Sequence, residues 1–377
     1  MNSIESISLE KMRRYLDSVL CGDIDSHTYI AQESAPLILL GSGSVYAEPF
    51  VSFALSNLKV VAVIDNMRIG QTLGNFDVCG DEDIVKVLKV YPNAIGVICC
   101  VSDGAISHFM GKWRATGRPL LNMFQIMRDH AFEGASQHYY NHFQDRTQIG
   151  SILSHCWPRF SDMQSQRSFL SLLLYRATLA QHWLEDVRQA YDDMYFFTSG
   201  LLVDDQEIYV DVGSFDGDSL FQFLRRVNKR YRQIHAMEPD PKNFEVLKRN
   251  FGQFPNCSLH EFGLWSQPLE TNFQLAGLGS HMDIDMGEVP VKLVALDDLD
   301  LGNVTLLKMD IEGAEVPALA GARRTIEKFK PKLAIAAYHK ADDLPQLMDA
   351  ICAIRDDYVF TLSHHSPFFR DTVLMAH

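Results

Sequence analysis

Short apolar runs alternate with helical patterns along two stretches of the chain, and this alternation is its dominant feature. Each run is four to six residues long and is followed directly by a glycine or a residue with a polar group. The runs lie at 37–40, 60–64, 96–101, 208–212, 233–237, 304–309 and 332–337. Continuous apolar strands separated by helices are typical of parallel sheets covered on both faces. The pattern therefore predicts two α/β domains.

The rest of the chain fits around these two domains. Residues 1–35 are predicted to form an N-terminal helical segment, followed by a Rossmann-like domain at 36–130. Residues 131–205 have helical periodicity, above all near 168–183, and are predicted to form a helical connector. The second α/β domain occupies 206–377. The fold class is thus α/β, with two Rossmann-like domains and mostly parallel sheets joined by a helical connector.

Charge, apolar runs and cysteine content indicate which binding partners and which cellular location to expect. The formal net charge of −14 disfavours nucleic acid, whose backbone requires clustered Lys and Arg. The chain holds no run of 18 apolar residues and no basic-then-apolar N-terminus, so neither a membrane span nor a signal peptide is expected. Seven cysteines without a CxxC pair indicate reduced thiols. We expect a cytoplasmic protein, and the sequence does not decide whether it forms a homo-oligomer.

The segment Asp211–Gly217 carries the strongest chemical signal. It follows a predicted strand and leads into a predicted helix. Gly213 allows a tight turn and close approach of a ligand, and Gly217 removes a side chain where the helix begins. Asp211 can fix this loop or meet a cationic amine. Such a loop predicts binding of a nucleotide-type cofactor.

Two further acids end neighbouring predicted strands. Glu238 closes the strand after the loop and can accept hydrogen bonds from ribose hydroxyls, as in dinucleotide folds. Asp310 closes the strand at 304–309. Ligands of open α/β sheets bind beyond the carboxyl ends of the strands. The two acids and the loop are therefore expected to form one site.

The motifs of this second domain, taken together, resemble the FkbM-type methyltransferases. They are Asp211-Val-Gly-Ser-Phe-Asp-Gly, Met237-Glu-Pro-Asp-Pro-Lys-Asn-Phe, Leu296-Asp-Asp-Leu, Lys308-Met-Asp-Ile-Glu-Gly-Ala-Glu, Lys332-Leu-Ala-Ile-Ala-Ala-Tyr-His-Lys and Asp371-Thr-Val-Leu.

The resemblance covers about 205–377 and implies a class I methyltransferase fold with S-adenosylmethionine as cofactor. It also implies O-methylation of a hydroxyl on a saccharide or small natural product, as in glycan modification. The expected cofactor-binding residues are Asp211, Gly213, Ser214, Phe215, Gly217 and Glu238. The family more often has Ala-Asn between its two loop glycines, where this chain has Ser214-Phe215, so the contacts of the cofactor's carboxylate are expected to differ.

A hydroxyl must lose a proton during methyl transfer, and a base in the site can accept it. Alignment of donor and acceptor alone supplies a large share of the rate enhancement, so a dedicated base is not compulsory. The expected catalytic residues are Asp310, His339 and Glu312, and His281 is a further candidate for the base. Asp310 and Glu312 offer oxygen ligands to a divalent metal, but a metal is not expected. Lys308 is unusual in an apolar strand and is left unassigned beyond pairing with a carboxylate.

The first domain carries a partial dinucleotide pattern. Gly41 and Gly43 follow its first strand and Asp65 ends its second, but Tyr46 stands where the full pattern has a third glycine. A structural or partner-docking role is favoured over binding of a nucleotide or sugar nucleotide, and an NAD-dependent enzyme is disfavoured. The alternative to a methyltransferase is a non-catalytic sugar-nucleotide-binding or scaffold protein of a glycan pathway.

Overall fold

The structure is a computed structural model that describes residues 7–23, 35–44, 47–130, 146–196, 202–273 and 289–377. The chain divides into two compact units. The first contains Met1–Ser151, Leu170–Val187 and Ser366–Phe369, and the second contains Ile152–Phe169, Arg188–His365 and Arg370–His377. The domain boundaries expected near residues 36, 131 and 206 remain a prediction.

The first unit is built on a six-stranded sheet in the order β3-β4-β2-β1-β5-β6, parallel except for β3. Its strands are β1 (Leu37–Leu40), β2 (Val60–Ile64), β3 (Thr72–Leu73), β4 (Phe76–Cys79), β5 (Ile95–Ile98) and β6 (Leu120–Asn122). Its helices are Leu9–Cys21, Glu48–Asn57, Ile84–Val90, Asp103–Arg114, Met123–Asp129 and His182–Glu185. Two further helices, Arg146–Cys156 and Met163–Thr178, each belong partly to the first unit and partly to the second.

Asp65, which directly follows β2, is hydrogen-bonded to residues of its own unit. Its carboxylate accepts hydrogen bonds from the backbone N–H of Ser42 (2.7 Å), the hydroxyl of Ser42 (2.9 Å) and the backbone N–H of Met67 (3.0 Å). These contacts favour a structural role for Asp65 in shaping the loop after β1. Tyr46 lies outside the described residues.

The second unit contains a seven-stranded sheet in the order β15-β16-β14-β13-β7-β8-β9. Only β16 pairs antiparallel with both of its neighbours, while the strands from β14 to β9 pair in parallel. The strands are β7 (Ile208–Val212), β8 (Gln233–Met237), β9 (Cys257–His260), β13 (Leu306–Met309), β14 (Lys332–Ala336), β15 (Phe360–His364) and β16 (Thr372–Ala376). The helices are Asp218–Arg226, Pro241–Phe251, Glu315–Gly321, Arg323–Phe329 and Asp343–Ile354.

A second, three-stranded sheet in this unit was not predicted. It has the order β10-β12-β11, formed by β10 (Gly263–Leu264), β11 (Leu269–Phe273) and β12 (Val289–Val294). β10 has only two residues, β11 carries Glu, Thr and Asn at 270–272, and β12 is interrupted by Pro290 and Lys292, so none of them forms a continuous apolar run.

The predicted fold class is confirmed: both units are α/β with mostly parallel sheets. One helix of the second unit ends at Gly321, and the next begins at Arg323. A Cβ on Gly321 would lie 2.0 Å from the carbonyl oxygen of Trp265. Among the described residues, no helix is both long and apolar enough to cross a membrane.

Candidate functional site

The site lies at the carboxyl edge of the seven-stranded sheet, where β8, β7, β13 and β14 are consecutive neighbours. Each of these strands ends close to one residue singled out from the sequence. Asp211 lies within β7, Glu238 and Asp310 directly follow β8 and β13, and His339 follows β14. Parallel pairing brings these four residues to one edge of one sheet.

The two loop glycines are required by contacts within the protein. Gly213 has a φ of 75°, and a Cβ there would lie 1.9 Å from the carbonyl oxygen of Asp310. Gly217 has a φ of 94°, and its Cβ would lie 2.1 Å from the ring of Phe251. Both positions therefore need the left-handed backbone and the missing side chain. They fix the loop against β13 and against the helix Pro241–Phe251.

Asp211 anchors the base of the loop and is fully buried. Its carboxylate lies 3.1 Å from the ammonium of Lys308 and accepts a hydrogen bond from the hydroxyl of Ser219. Burial alone would lower the pKa of Lys308, but the carboxylates of Asp211 and Asp310 raise it, so the ammonium stays charged. Lys308 also donates to the carbonyl oxygen of Gly213 at 2.7 Å. The unassigned lysine thus holds the loop through an ion pair.

Two of the expected cofactor-binding residues differ in exposure. Ser214 is fully buried, and its hydroxyl donates to the carbonyl oxygen of Asp211 at 3.0 Å. Phe215 has a left-handed backbone, with a φ of 49°, and about half of its surface is exposed. Ser214 therefore shapes the loop from inside, while the ring of Phe215 faces solvent.

Glu238 is fastened to the loop by backbone donors. Its Oε2 accepts the N–H of Phe215 at 2.9 Å, and its Oε1 accepts the N–H of Asp240 at 2.9 Å. Burial raises the pKa of this carboxyl, and the two N–H groups and a hydrogen bond from the side chain of Asn243 oppose that rise. A carboxylate can accept about four hydrogen bonds, so Glu238 retains acceptor capacity.

Asp310 is surrounded by donors. The hydroxyl of Tyr195 donates to its Oδ2 at 2.6 Å, and the hydroxyl of Tyr338 lies 3.2 Å from both of its oxygens. Nε2 of His339 is 3.3 Å from Oδ1. Burial would raise the pKa of Asp310, but His339, Lys308 and Tyr195 together hold it below its usual range. Asp310 is therefore a stable anion.

His339 is enclosed by carboxylates on both sides of its ring. Nδ1 lies 3.2 Å from Glu315, while Nε2 faces Asp310 and lies 3.5 Å from Glu312. Burial would lower the pKa of His339, but Glu315 and Asp310 raise it well above its usual value. The imidazole therefore carries a positive charge and forms the centre of an ion-pair cluster.

Asp310, Glu315 and His339 are also the one set of three potential metal ligands found among the described residues, with ligand atoms within 4.8 Å of one another. The two carboxylates face opposite nitrogens of the imidazole. Glu315 also accepts the backbone N–H of Ile311 at 2.8 Å. Ion pairs and hydrogen bonds within the protein already use these groups, and we assign no metal to them.

The structure brings all of the expected catalytic residues together, but it adds partners that the sequence did not indicate. Tyr195 belongs to no motif and lies far from the other site residues in sequence. Glu315 begins the helix Glu315–Gly321, a position where an acidic residue is explained by its favourable interaction with the helix N-terminus alone. His281 lies outside the described residues. The assignment of catalytic and cofactor-binding roles remains a prediction.

Comparison with solved structures supports the fold. The chain is similar to the methyltransferase FkbM from Methylobacillus flagellatus KT, with a TM-score of 0.76 and 24% identity over 98% of this chain and 100% of that chain. A precorrin-6y C5,15-methyltransferase from Geobacter metallireducens GS-15 aligns over 46% of this chain and 80% of its own, with 14% identity and a TM-score of 0.30. The second likeness is too weak to carry an argument.

A search of curated proteins found no match. A family model described as the methyltransferase FkbM domain matches residues 211–361. This range begins at Asp211 and includes Glu238, Asp310 and His339, so the match covers the whole site edge of the sheet. Residues 211–361 of this chain are therefore a methyltransferase FkbM domain.

Proposed function

We propose that this domain transfers the methyl group of S-adenosylmethionine to a hydroxyl of a saccharide or small natural product. The observation that carries the cofactor assignment is Glu238. Its carboxylate accepts the backbone N–H groups of Phe215 and Asp240 and a side-chain hydrogen bond from Asn243, and with about four acceptor positions it keeps room for a further donor. The two neighbouring hydroxyls of a ribose are donors of this kind. The family match over residues 211–361 supports the same assignment.

The expected roles follow from positions along the sheet edge. Glu238 would accept hydrogen bonds from the ribose, and the loop Asp211–Gly217 would border the methionyl part of the cofactor. When bound, the cofactor supplies an electrophilic methyl group on a sulfonium. Asp310, Glu312 and His339, at the ends of β13 and β14, would orient the acceptor, and a carboxylate among them would accept its proton.

Oxygen as the methyl acceptor is supported by the proton-handling groups of the site. An alcohol loses a proton when it is methylated, so it benefits from a nearby base. Three carboxylates lie within 3.5 Å of the imidazole of His339 at the ends of β13 and β14. This arrangement suits an acceptor that must be deprotonated and aligned.

Calorimetry with the full-length protein tests the cofactor assignment. The wild type is expected to bind S-adenosylmethionine and S-adenosylhomocysteine, and Glu238→Ala is expected to weaken both about 100-fold, because two hydrogen bonds to a charged group are lost. Glu245→Ala is the matched control, because Glu245 is an exposed glutamate on the helix Pro241–Phe251. Absence of binding by the wild type, or unchanged affinity in Glu238→Ala, would refute the proposal.

A further inference from the structure

Three carboxylates surround His339, and they differ in how much of their surface is open. The side chain of Glu312 is 38% exposed, against 23% for Asp310 and 2% for Glu315. Asp310 accepts hydrogen bonds from two tyrosine hydroxyls, and Glu315 accepts one from a backbone N–H. Glu312 lies 3.5 Å from His339, at the long end of hydrogen-bonding range. It is therefore the carboxylate most available to a ligand.

The backbone at Glu312 has a left-handed conformation. Its φ is 56°, and Gly313 follows with a φ of 92°. A non-glycine residue in this region costs about 1 kcal/mol or more and persists where the surrounding structure enforces it. Here the conformation holds Glu312 beside His339, directly after β13.

The neighbours of Glu312 are poor proton acceptors. His339 is already protonated between its carboxylates. Asp310 is a stable anion whose pKa lies below its usual range. Burial raises the pKa of Glu312 to about 7, His339 lowers it, and Asp310, Glu315 and Glu238 raise it further. A pKa near the working pH is the property that suits a general base.

We infer that Glu312 accepts the proton of the acceptor hydroxyl, while Asp310, Glu315 and His339 act as positioning residues. The inference rests on the proposed methyl transfer to oxygen. In the transfer, the acceptor oxygen bonds to the methyl carbon as the carbon–sulfur bond breaks, and that electron pair stays on sulfur. The O–H bond breaks and its proton passes to the Glu312 carboxylate. The proton then leaves through the exposed side of Glu312.

The test needs no knowledge of the acceptor. Sinefungin carries a protonated amine where S-adenosylmethionine carries its methyl group, and S-adenosylhomocysteine carries nothing there. The ratio of their affinities reports the charge that faces the methyl position, because contacts to ribose and base cancel. In the wild type, Glu312 is expected to be largely protonated at pH 6 and ionised at pH 8. The ratio should therefore favour sinefungin about tenfold more at pH 8 than at pH 6, the effect of one partly screened negative charge on the amine.

The decisive comparison is between Glu312→Gln, which removes the charge at constant shape, and the exposed control Glu245→Gln. Glu312→Gln is expected to abolish the pH dependence of the ratio while it keeps wild-type affinity for S-adenosylhomocysteine, which shows that the site is folded. Glu245→Gln is expected to behave as the wild type. The inference is overturned if the affinity ratio still depends on pH in Glu312→Gln, or if it does not depend on pH in the wild type. Failure of the wild type to bind either compound overturns the proposed function instead.

Discussion

Replacement of Gly213 by alanine tests whether the close approach of β7 and β13 determines the shape of the loop. The new Cβ would lie 1.9 Å from the carbonyl oxygen of Asp310 and 3.1 Å from a methyl group of Ile311. Gly302 provides a matched control in the same unit. It has nearly the same φ, 73° against 75°, but a Cβ there has nothing within 4 Å.

The two substitutions separate two costs. Both variants place an alanine in the left-handed region, which costs about 1 kcal/mol. Only Gly213→Ala also forces atoms together, and overpacking of this kind costs about 1–3 kcal/mol more. We therefore expect a loss of about 1 kcal/mol for Gly302→Ala and about 2–4 kcal/mol for Gly213→Ala.

Native-state hydrogen exchange is the appropriate assay, because a chain with two compact units need not unfold in one step. Amides of β7 and β13 report the local free energy of opening at the site. They should lose more protection in Gly213→Ala than in Gly302→Ala. Equal losses in the two variants would refute the account of Gly213, since the backbone angle alone would then explain its requirement.

Two further predictions concern buried charge. Lys308→Met leaves Asp211 without its partner at 3.1 Å and should cost about 3–5 kcal/mol, measured by the same exchange experiment, whereas a loss below about 1 kcal/mol would contradict a structural ion pair. Burial, with Glu315 nearby, raises the pKa of Asp343 to about 6, above its unfolded value, so the wild type loses stability as pH rises through 6. Asp343→Asn, compared with the wild type by the same exchange experiment, should therefore gain about 2 kcal/mol of stability relative to it between pH 4 and pH 8, and a difference independent of pH would contradict this.

The assembly of the site could be predicted from the sequence because parallel strands end at one edge. The strands that contain or precede Asp211, Glu238, Asp310 and His339 are recognisable as apolar runs, and each residue lies at or just beyond a strand end. Geometry then brings them together without knowledge of side-chain packing. The same logic identified the loop between β7 and the helix Asp218–Arg226.

Partners from distant segments could not be predicted. Tyr195 contacts Asp310 across 115 positions, and no local pattern marks it. Lys308 was unusual in its strand, but only the register of β13 against β7 shows that Asp211 lies opposite. Gly213 was expected to let a ligand approach and Gly217 to remove a side chain where the helix begins, and the atoms closest to a Cβ at these positions belong to Asp310 and Phe251. Each of these contacts depends on tertiary packing.

Isotope transfer tests the central claim most directly. The full-length protein is incubated with S-adenosylmethionine labelled with ¹³C in its methyl group and with saccharide and hydroxylated small-molecule fractions from the source cells. We predict that S-adenosylhomocysteine forms only with an acceptor fraction and that carbon NMR finds the labelled methyl bonded to oxygen. Label on nitrogen or carbon, or no formation of S-adenosylhomocysteine with any fraction, would contradict O-methyl transfer.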